Sequence, residues 1–374
     1  MEEYKMNRKI KNLQSILLFS ILIGFFIGYT TANIIFNKEE GIHITIIYGS
    51  EKASWMTLVY NNFMKYWNEN YEEKLVLEML PYGSIDSIIS ILNGEIYPTI
   101  WSPASSLWIP ILNSKWKQLT KSEDPIVLEN ESIRIIYSPI VLATWEQFNN
   151  IYNIRGIRDL HDLCKNQTLD IKIAHTDPTL SNSGFMSMVM LISVAANKST
   201  DELTINDLSN EIIQQWVKEL QSRAVLYGKS TGFLARYMAN GGPNSLTVAF
   251  LYENCILDIS SNTEKGKIIA IYPEEGSVFS DHPFCLLNAD WITPKQRWAA
   301  NILLNYLNLT ESKISAMKYG FRLFDTSIQL DPQIFNYEKN GLSINFSSPE
   351  LKPPKDGETL IKIPDFWLLC KNNA

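Results

Sequence analysis

Residues 42–50 have the sequence IHITIIYGS, and the fold prediction starts from this stretch. Its first seven residues are mostly apolar and β-branched, which predicts a buried strand. Gly49 and Ser50 end the strand, and apolar side chains then recur at helical spacing from Trp55 to Trp67. The same succession of strand, polar turn and helix returns at residues 74–92 and again from residue 97. The sequence therefore predicts βαβ units around a mostly parallel sheet.

The middle of the chain repeats this scheme. We predict strands at residues 170–175, 246–251 and 267–272, and an apolar helix that follows the polar turn at 181–184 and ends at Ala196. Further helices are predicted at residues 212–223 and from Pro294 to Lys318. After residue 331 the chain is rich in Pro and Asn, which indicates a surface wrap with a short final helix.

The N-terminal 40 residues indicate export. Basic residues precede an uncharged run from Leu13 to Phe36, which at roughly 1.5 Å per helical residue is long enough to cross a bilayer core of about 30 Å. The basic flank places the remainder of the chain outside the membrane. We predict an uncleaved signal anchor and a periplasmic or extracellular C-terminal domain. A cleaved signal peptide, which would give a secreted protein, is the alternative.

Length, charge and cysteine content narrow the class of protein. About 335 residues follow the apolar run, enough for two lobes. The net charge is −7 with both signs interspersed, which argues against nucleic acid as a partner. Four cysteines in an exported domain permit disulfides, with buried free thiols as the alternative; these are Cys164, Cys255, Cys285 and Cys370.

Polar residues follow five of the predicted strands, at residues 49–51, 82–84, 102–106, 181–184 and 228–232. Each cluster supplies hydroxyls that we expect to cap the next helix, and each aims the positive end of that helix at the edge of the sheet. In open α/β sheets this edge is the ligand crevice. The sequence therefore predicts a binding site for a small polar solute or oxyanion. The predicted ligand-binding residues are Ser50, Ser84, Ser102, Ser105, Ser106, Thr176, Ser181, Asn182, Ser183, Ser230, Thr231, Tyr252 and Glu253.

Five ordered segments carry a family resemblance: residues 100–108 (IWSPASSLW), 174–184 (AHTDPTLSNSG), 227–233 (YGKSTGF), 251–254 (LYEN) and 271–276 (IYPEEG), the last leading to 280–283 (SDHP). With these segments, residues 42 to about 330 resemble the solute-binding components of ABC transporters that have the type II periplasmic-binding fold. The likeness is greatest to the solute-binding modules associated with von Willebrand type A domains.

This resemblance implies two α/β lobes that close on a solute in the cleft between them, and an ABC permease as partner. It implies lobe one at residues 41–138 plus 274–374, lobe two at 139–273, and crossing strands near residues 135–144 and 267–273.

Other functions have weaker support in the sequence. Ser280, Asp281 and His282 are the residue types of a catalytic triad, but neighbours in one turn cannot form a relay, so we predict a turn here and no enzyme. A divalent-metal site in the crevice is an alternative, although no ligand spacing supports it; its candidate ligands are His175, Asp177, Glu253, Asp281 and His282. Trp101 and Trp108 flank the Ser-rich turn, and either is a candidate wall of the cleft. A structural or adhesive ectodomain remains the second functional class. No cofactor is predicted.

Overall fold

A computed structural model of the chain describes residues 41–260 and 264–372. The predicted anchor at residues 13–36 lies outside this range. The first of two sheets contains β1 (Ile42–Gly49), β2 (Leu75–Tyr82), β3 (Ile100–Ser102), β4 (Val127–Ile133) and β11 (Phe284–Leu287). Their order is β2-β1-β3-β11-β4. The first three strands are parallel, as predicted, and β11 runs antiparallel to β3 and β4.

The second sheet is built around β5 (Ile136–Trp145), whose residues are almost all buried. Its other strands are β6 (Ile173–Thr176), β7 (Ala224–Gly228), β8 (Val248–Tyr252), β9 (Ile268–Ile271), β10 (Ser277–Ser280), β12 (Arg322–Leu323) and β13 (Glu350–Leu351). The order is β13-β10-β5-β8-β6-β7, and β9 and β12 also pair with β5. Polar turns follow β6 and β7, and β8 passes directly into a helix at Glu253, so this sheet also directs polar side chains to one edge.

Helices cover both sheets. Around the first sheet lie α1 (Ala53–Asn70), α2 (Ser84–Leu92), α3 (Trp108–Thr120), α11 (Pro294–Leu307) and α12 (Thr310–Met317). Around the second lie α4 (Glu146–Tyr152), α5 (Ile157–Lys165), α6 (Asn182–Ala196), α7 (Ile205–Leu208), α8 (Glu211–Gln221), α9 (Thr231–Gly241), α10 (Glu253–Ser260), α13 (Tyr337–Asn340) and α14 (Gly357–Asn372). The result is a two-lobed α/β fold. Sequence periodicity predicted most of these helices because each has an apolar face toward its sheet.

The connections between the two sheets differ in part from the prediction. The chain leaves the first sheet between β4 and β5, within the predicted first crossing. It returns between β10 and β11, at Asp281–Pro283, and not at residues 267–273. Residues 268–271 instead form β9, which pairs antiparallel with β5 inside the second sheet. The backbone of β9 forms its hydrogen bonds with β5 inside the second sheet, so this segment does not connect the two sheets.

The C-terminal helix also departs from the predicted lobe division. α14 was assigned to lobe one but packs against α6, α7 and α8 of the second lobe. Trp367 is buried against His175 and Tyr227, and the Cys370 thiol contacts the Gln214 carbonyl. This apolar face needs a partner, and the helices of lobe two supply it. β10, β12 and β13 were also assigned to lobe one, but they pair within the second sheet. The rest of the division of lobes stays a prediction.

The sequence left open whether the four cysteines form disulfides. All four cysteines are free and buried, and no disulfide joins any two of them. Burial raises the pKa of Cys164 to about 12, so its thiol is neutral and unreactive at physiological pH. Within residues 41–260 and 264–372, no helix has the length and apolar content needed to cross a membrane.

Candidate functional site

Ser50 and Ser230 bring the two lobes into direct contact. β1 ends at Gly49 and β7 ends at Gly228, so both hydroxyls lie at carboxyl ends of strands, one in each sheet. The Ser50 hydroxyl donates to Ser230 Oγ at 2.7 Å and accepts from the Gly232 amide at 3.1 Å. A β-carbon on Gly232 would lie 2.5 Å from the Ser50 carbonyl oxygen. Only a residue without a side chain permits this approach.

The start of α2 makes a second contact between the lobes. The amides of Ile85 and Asp86 both donate to the Leu180 carbonyl of lobe two, at 3.1 and 3.2 Å. Gly83 is required here as well, since its β-carbon would lie 2.6 Å from the same oxygen. Free amides at a helix N-terminus attract an oxygen acceptor. In this closed arrangement the acceptor is a backbone carbonyl of the opposite lobe.

Asn182 is the centre of a third contact. Its Oδ1 accepts from the Trp108 indole at 2.7 Å, and its Nδ2 donates to the Tyr252 hydroxyl at 2.7 Å and to Ser280 Oγ at 2.9 Å. Trp108 comes from lobe one and Tyr252 from lobe two, so one amide group joins both lobes. Trp101, the other candidate wall, donates to Ser87 within lobe one.

The other lobe-two hydroxyls form a short chain. Ser183 Oγ lies 2.7 Å from Thr176 Oγ1 and 2.6 Å from Thr231 Oγ1. All three residues are buried at the ends of β6 and β7 and the starts of α6 and α9. Ser181 is buried beside them, and its carbonyl accepts from the Phe185 amide. The structure thus places these four predicted residues next to the junction between the lobes.

The hydroxyls do not act as helix caps, which the sequence led us to expect. No side-chain cap bond is made at Gly83, Ser181 or Ser230, which precede α2, α6 and α9. None is made at Gly49 either, which precedes a single 3-10 turn at Ser50–Lys52. In two of these junctions the capping position is glycine, and Ser230 bonds to the opposite lobe instead. The expectation of ordinary caps was therefore wrong for these serines. Their hydrogen bonds connect loops and lobes.

The turn at residues 102–106 collects the remaining predicted serines of lobe one. Ser84 Oγ accepts from the Ala104 amide at 3.0 Å, and Ser105 Oγ accepts from the Leu107 amide at 3.2 Å. Within residues 41–260 and 264–372 neither hydroxyl donates to an acceptor, so both hydrogens are available for donation. The Ser106 amide donates to Asp281 at 2.7 Å. Ser102 Oγ is buried and has no partner among the described residues.

Sequence reasoning missed a buried charged cluster beneath this turn. Lys52 is fully buried, and its ammonium lies 3.1 Å from Glu51, 3.3 Å from the Pro103 carbonyl and 3.4 Å from His282 Nδ1. Burial raises the pKa of Glu51, but Lys52 and His282 outweigh that effect and bring it to about 2. Burial and the Lys52 charge lower the pKa of His282, so its ring is neutral at pH 7. The signal in the sequence was two opposite charges directly after Ser50.

His282 forms the turn that was predicted at residues 280–283, but it is also part of the site. Its backbone φ is 39°, in the left-handed region that non-glycine residues seldom occupy. Its amide donates to the Ala104 carbonyl, and its ring contacts the edges of Tyr252 and Phe321. Its Nε2 is buried without a partner in the described part of the chain.

Glu253 lies apart from this junction. Arg322 donates to both of its carboxylate oxygens, at 2.7 and 2.8 Å, and the Tyr272 hydroxyl donates to one of them. These bonds hold the carboxylate within the chain, and they give no support to a ligand role for Glu253. In the described ranges, no three His, Cys, Asp or Glu side chains are grouped to hold a metal ion.

Two α/β lobes that meet through polar strand ends define a two-lobed binding protein. The chain belongs to the bacterial extracellular solute-binding protein family, whose model matches residues 35–322. None of the curated proteins matches the chain in sequence.

Solved structures share the fold at low identity. The substrate-binding protein of an ABC transporter from Agrobacterium tumefaciens has a TM-score of 0.62 and 11% identity, covering 90% of this chain and 96% of that one. Iron-bound HitA from Pseudomonas aeruginosa has a TM-score of 0.58 and 13% identity, covering 88% and 99%. AfuA from Actinobacillus pleuropneumoniae, with bound fructose-6-phosphate, has a TM-score of 0.56 and 16% identity, covering 88% and 97%. These structures are type II periplasmic solute-binding proteins.

Proposed function

We propose that this protein captures a small polar solute or oxyanion between its two lobes outside the cytoplasm, for delivery to an ABC-type permease, and that it is not an enzyme. One observation carries the proposal: polar groups from distant parts of the chain meet across the junction, as Ser50 with Ser230 and Trp108 with Asn182. Such a junction lets a solute that bridges both lobes favour the closed state.

Residues 13–36, outside the described range, are proposed to tether the protein to the membrane. The likeness to modules associated with von Willebrand type A domains also stays a proposal. That likeness does not indicate a ligand. The junction itself presents neutral hydrogen-bond donors. The proposed contacts are the hydroxyls that retain a free hydrogen, on Ser84, Ser102 and Ser105.

The hydrogen bonds between the lobes limit the access of a solute to these hydroxyls. The Leu180 carbonyl occupies the amides of α2, and Ser50 and Asn182 are bonded to partners in or next to the opposite lobe. A solute therefore enters an open form and is enclosed as these contacts form again. Its affinity depends on the balance between the open and closed forms as well as on its own contacts.

The test is a thermal-shift screen of the full chain in detergent against oxyanions, divalent metals, sugars and amino acids. A solute at 100 times its dissociation constant should add about 2.7 kcal/mol to the unfolding free energy. The Gly357→Ala variant is the control for a substitution outside the junction, because a β-carbon there contacts nothing within 4 Å. It should give the same shifts as the unmodified chain. A hit abolished by a chelator would promote the metal alternative. No shift with any compound would favour the structural ectodomain.

A further inference from the structure

Two buried atoms at the 102–106 turn lack hydrogen-bond partners. In residues 41–260 and 264–372 the buried side-chain atoms without a partner are Ser102 Oγ, Asn254 Oδ1, His282 Nε2 and Trp367 Nε1. Ser102 belongs to the turn, and the His282 amide is bonded to Ala104 in the same turn. A buried polar atom without a partner costs about 1–3 kcal/mol, so proteins rarely retain one without a use.

The contacts of His282 Nδ1 distinguish two tautomers of the neutral ring. Nδ1 lies 3.4 Å from the Lys52 ammonium and 3.3 Å from Glu51 Oε1. A hydrogen on Nδ1 would be donated to Glu51. A bare Nδ1 accepts from Lys52, whose ammonium then bonds to Glu51, the Pro103 carbonyl and His282. This second tautomer satisfies all three ammonium hydrogens and presents an Nε2–H donor.

Several other donors share the turn with His282. Ser84 and Ser105 Oγ each accept from a backbone amide, and neither hydroxyl donates to an acceptor in the described part of the chain. The carboxylates nearby are occupied: Glu51 pairs with Lys52, and Asp281 accepts from the Ser106 amide and pairs with Arg134. Donors therefore predominate at this turn, and Lys52 and Glu51 balance each other in charge.

We propose that His282 contacts the solute through Nε2–H, that Lys52 is the positioning residue that fixes this tautomer, and that the site selects a solute group with oxygen acceptors, such as a carboxylate, phosphate or sulfate. This inference rests on the proposed function of solute capture. It gives His282, which the sequence offered only as a ligand in the metal alternative, a role in that function, and it narrows the solute to one chemical class. An oxygen acceptor satisfies Nε2–H, whereas a donor-rich cation does not.

The tautomer is tested directly in the full chain labelled with ¹⁵N-histidine. The chain has four histidines, and the resonance lost in His282→Asn assigns the one of interest. At pH 7 we expect Nε2 to carry the hydrogen and Nδ1 to be bare. In Lys52→Met we expect the hydrogen to move to Nδ1, which lies 3.3 Å from Glu51. A hydrogen on Nδ1 in the unmodified protein overturns the proposal, and this measurement does not require any variant to bind solute.

The ligand class is tested by calorimetric titration of the full chain with sodium sulfate, sodium phosphate, sodium acetate and the neutral sugar glucose. We expect at least one anion to bind, and His282→Asn to weaken it about tenfold, the loss of one charge-assisted hydrogen bond. Asparagine tolerates the positive φ at this position. The exposed His43→Asn is the control and should bind as the unmodified chain does.

The outcomes separate the two proposals. Unchanged anion binding by folded His282→Asn overturns the role of His282. Binding of glucose but of none of the three anions overturns the ligand class and leaves solute capture standing. Silence of the unmodified chain in both this titration and the wider thermal-shift screen rejects solute capture itself.

Discussion

Two buried polar regions of this protein use their groups in opposite ways. We call the first the hinge cluster: Glu253, Tyr272 and Arg322, with the carbonyls of Ser343 and Ile344. Arg322 donates to both Glu253 oxygens and to both carbonyls, and its guanidinium lies over the Phe335 and Phe346 rings. The second region, the 102–106 turn with His282, retains donors without partners.

The difference separates a structural role from a binding role. Charges that find all their partners within the chain fix one arrangement of the segments that they join. Neutral donors left unsatisfied at the meeting point of two lobes need an outside acceptor to complete them. The hinge cluster should therefore govern stability, and the turn should govern solute affinity.

The largest expected effect tests the hinge cluster. Arg322→Met removes the partner of Glu253 and leaves a fully buried carboxylate, whose pKa burial already raises. The unfolding free energy should fall by about 3–5 kcal/mol, measured by urea denaturation. The double variant Glu253→Met/Arg322→Met should recover much of this loss, because no charge remains buried. Equal losses in the single and double variants would show that the pair contributes through packing alone.

Glu253 also shows where sequence reasoning stops. Its position after β8 was read correctly, since Tyr252 at the end of that strand does reach the junction. The sequence did not reveal that Arg322, 69 residues further along, occupies both carboxylate oxygens. Such pairing depends on how β12 docks against β5, and no local pattern encodes it.

The same distinction holds for the fold as a whole. Periodicity located β1, β2, α1 and α6, because their apolar spacing is a local property. The second crossing at residues 267–273 was implied by the family resemblance and was wrong, because this segment forms β9 inside the second sheet. The serines of the site were predicted from strand ends, whereas Lys52 was not, and His282 was considered only as a ligand in the metal alternative. Their role arises from a contact between residues 230 positions apart.

A second prediction uses acid to probe the charged pair beneath the turn. The pKa of Glu51 is about 2 in the folded chain and near 4.5 when unfolded, so its contribution is complete above about pH 5 and is lost as pH falls toward 2. That contribution should be about 3 kcal/mol. His282, with its lowered pKa, adds a loss in the same direction below about pH 6.5.

The measurement is the unfolding free energy between pH 7 and pH 3 for the unmodified chain and Glu51→Gln. The variant lacks the titrating group, so its free energy should fall less steeply below pH 5. Other carboxylates titrate equally in both proteins and cancel in the difference. Identical slopes would mean that the pKa of Glu51 is the same in the folded and unfolded chain, and the charged pair would then contribute no stability that depends on pH.

The third prediction separates affinity from stability. Gly232→Ala places a β-carbon 2.5 Å from the Ser50 carbonyl oxygen, which should hold the lobes apart. Alanine is also a better helix former than glycine within α9, so the fold should not be weakened. We expect about tenfold weaker binding of any solute found in the screen and a larger radius of gyration by small-angle X-ray scattering. Gly357→Ala should change neither quantity, and a closed Gly232→Ala would refute direct lobe contact at Ser50.

The smallest expected effect compares two tryptophans in lobe one. The Trp108 indole donates across the junction to Asn182 at 2.7 Å, whereas the Trp101 indole donates to Ser87 at 2.9 Å within its own lobe. Each replacement by Phe removes one neutral hydrogen bond, so each should lower the unfolding free energy by about 1 kcal/mol. Only Trp108→Phe should also shift the balance toward the open form, by about fivefold at that energy. Scattering curves of the solute-free variants measure this shift. If Trp101→Phe opened the lobes equally, closure would depend on the general packing of lobe one and not on the bond that Asn182 makes between them.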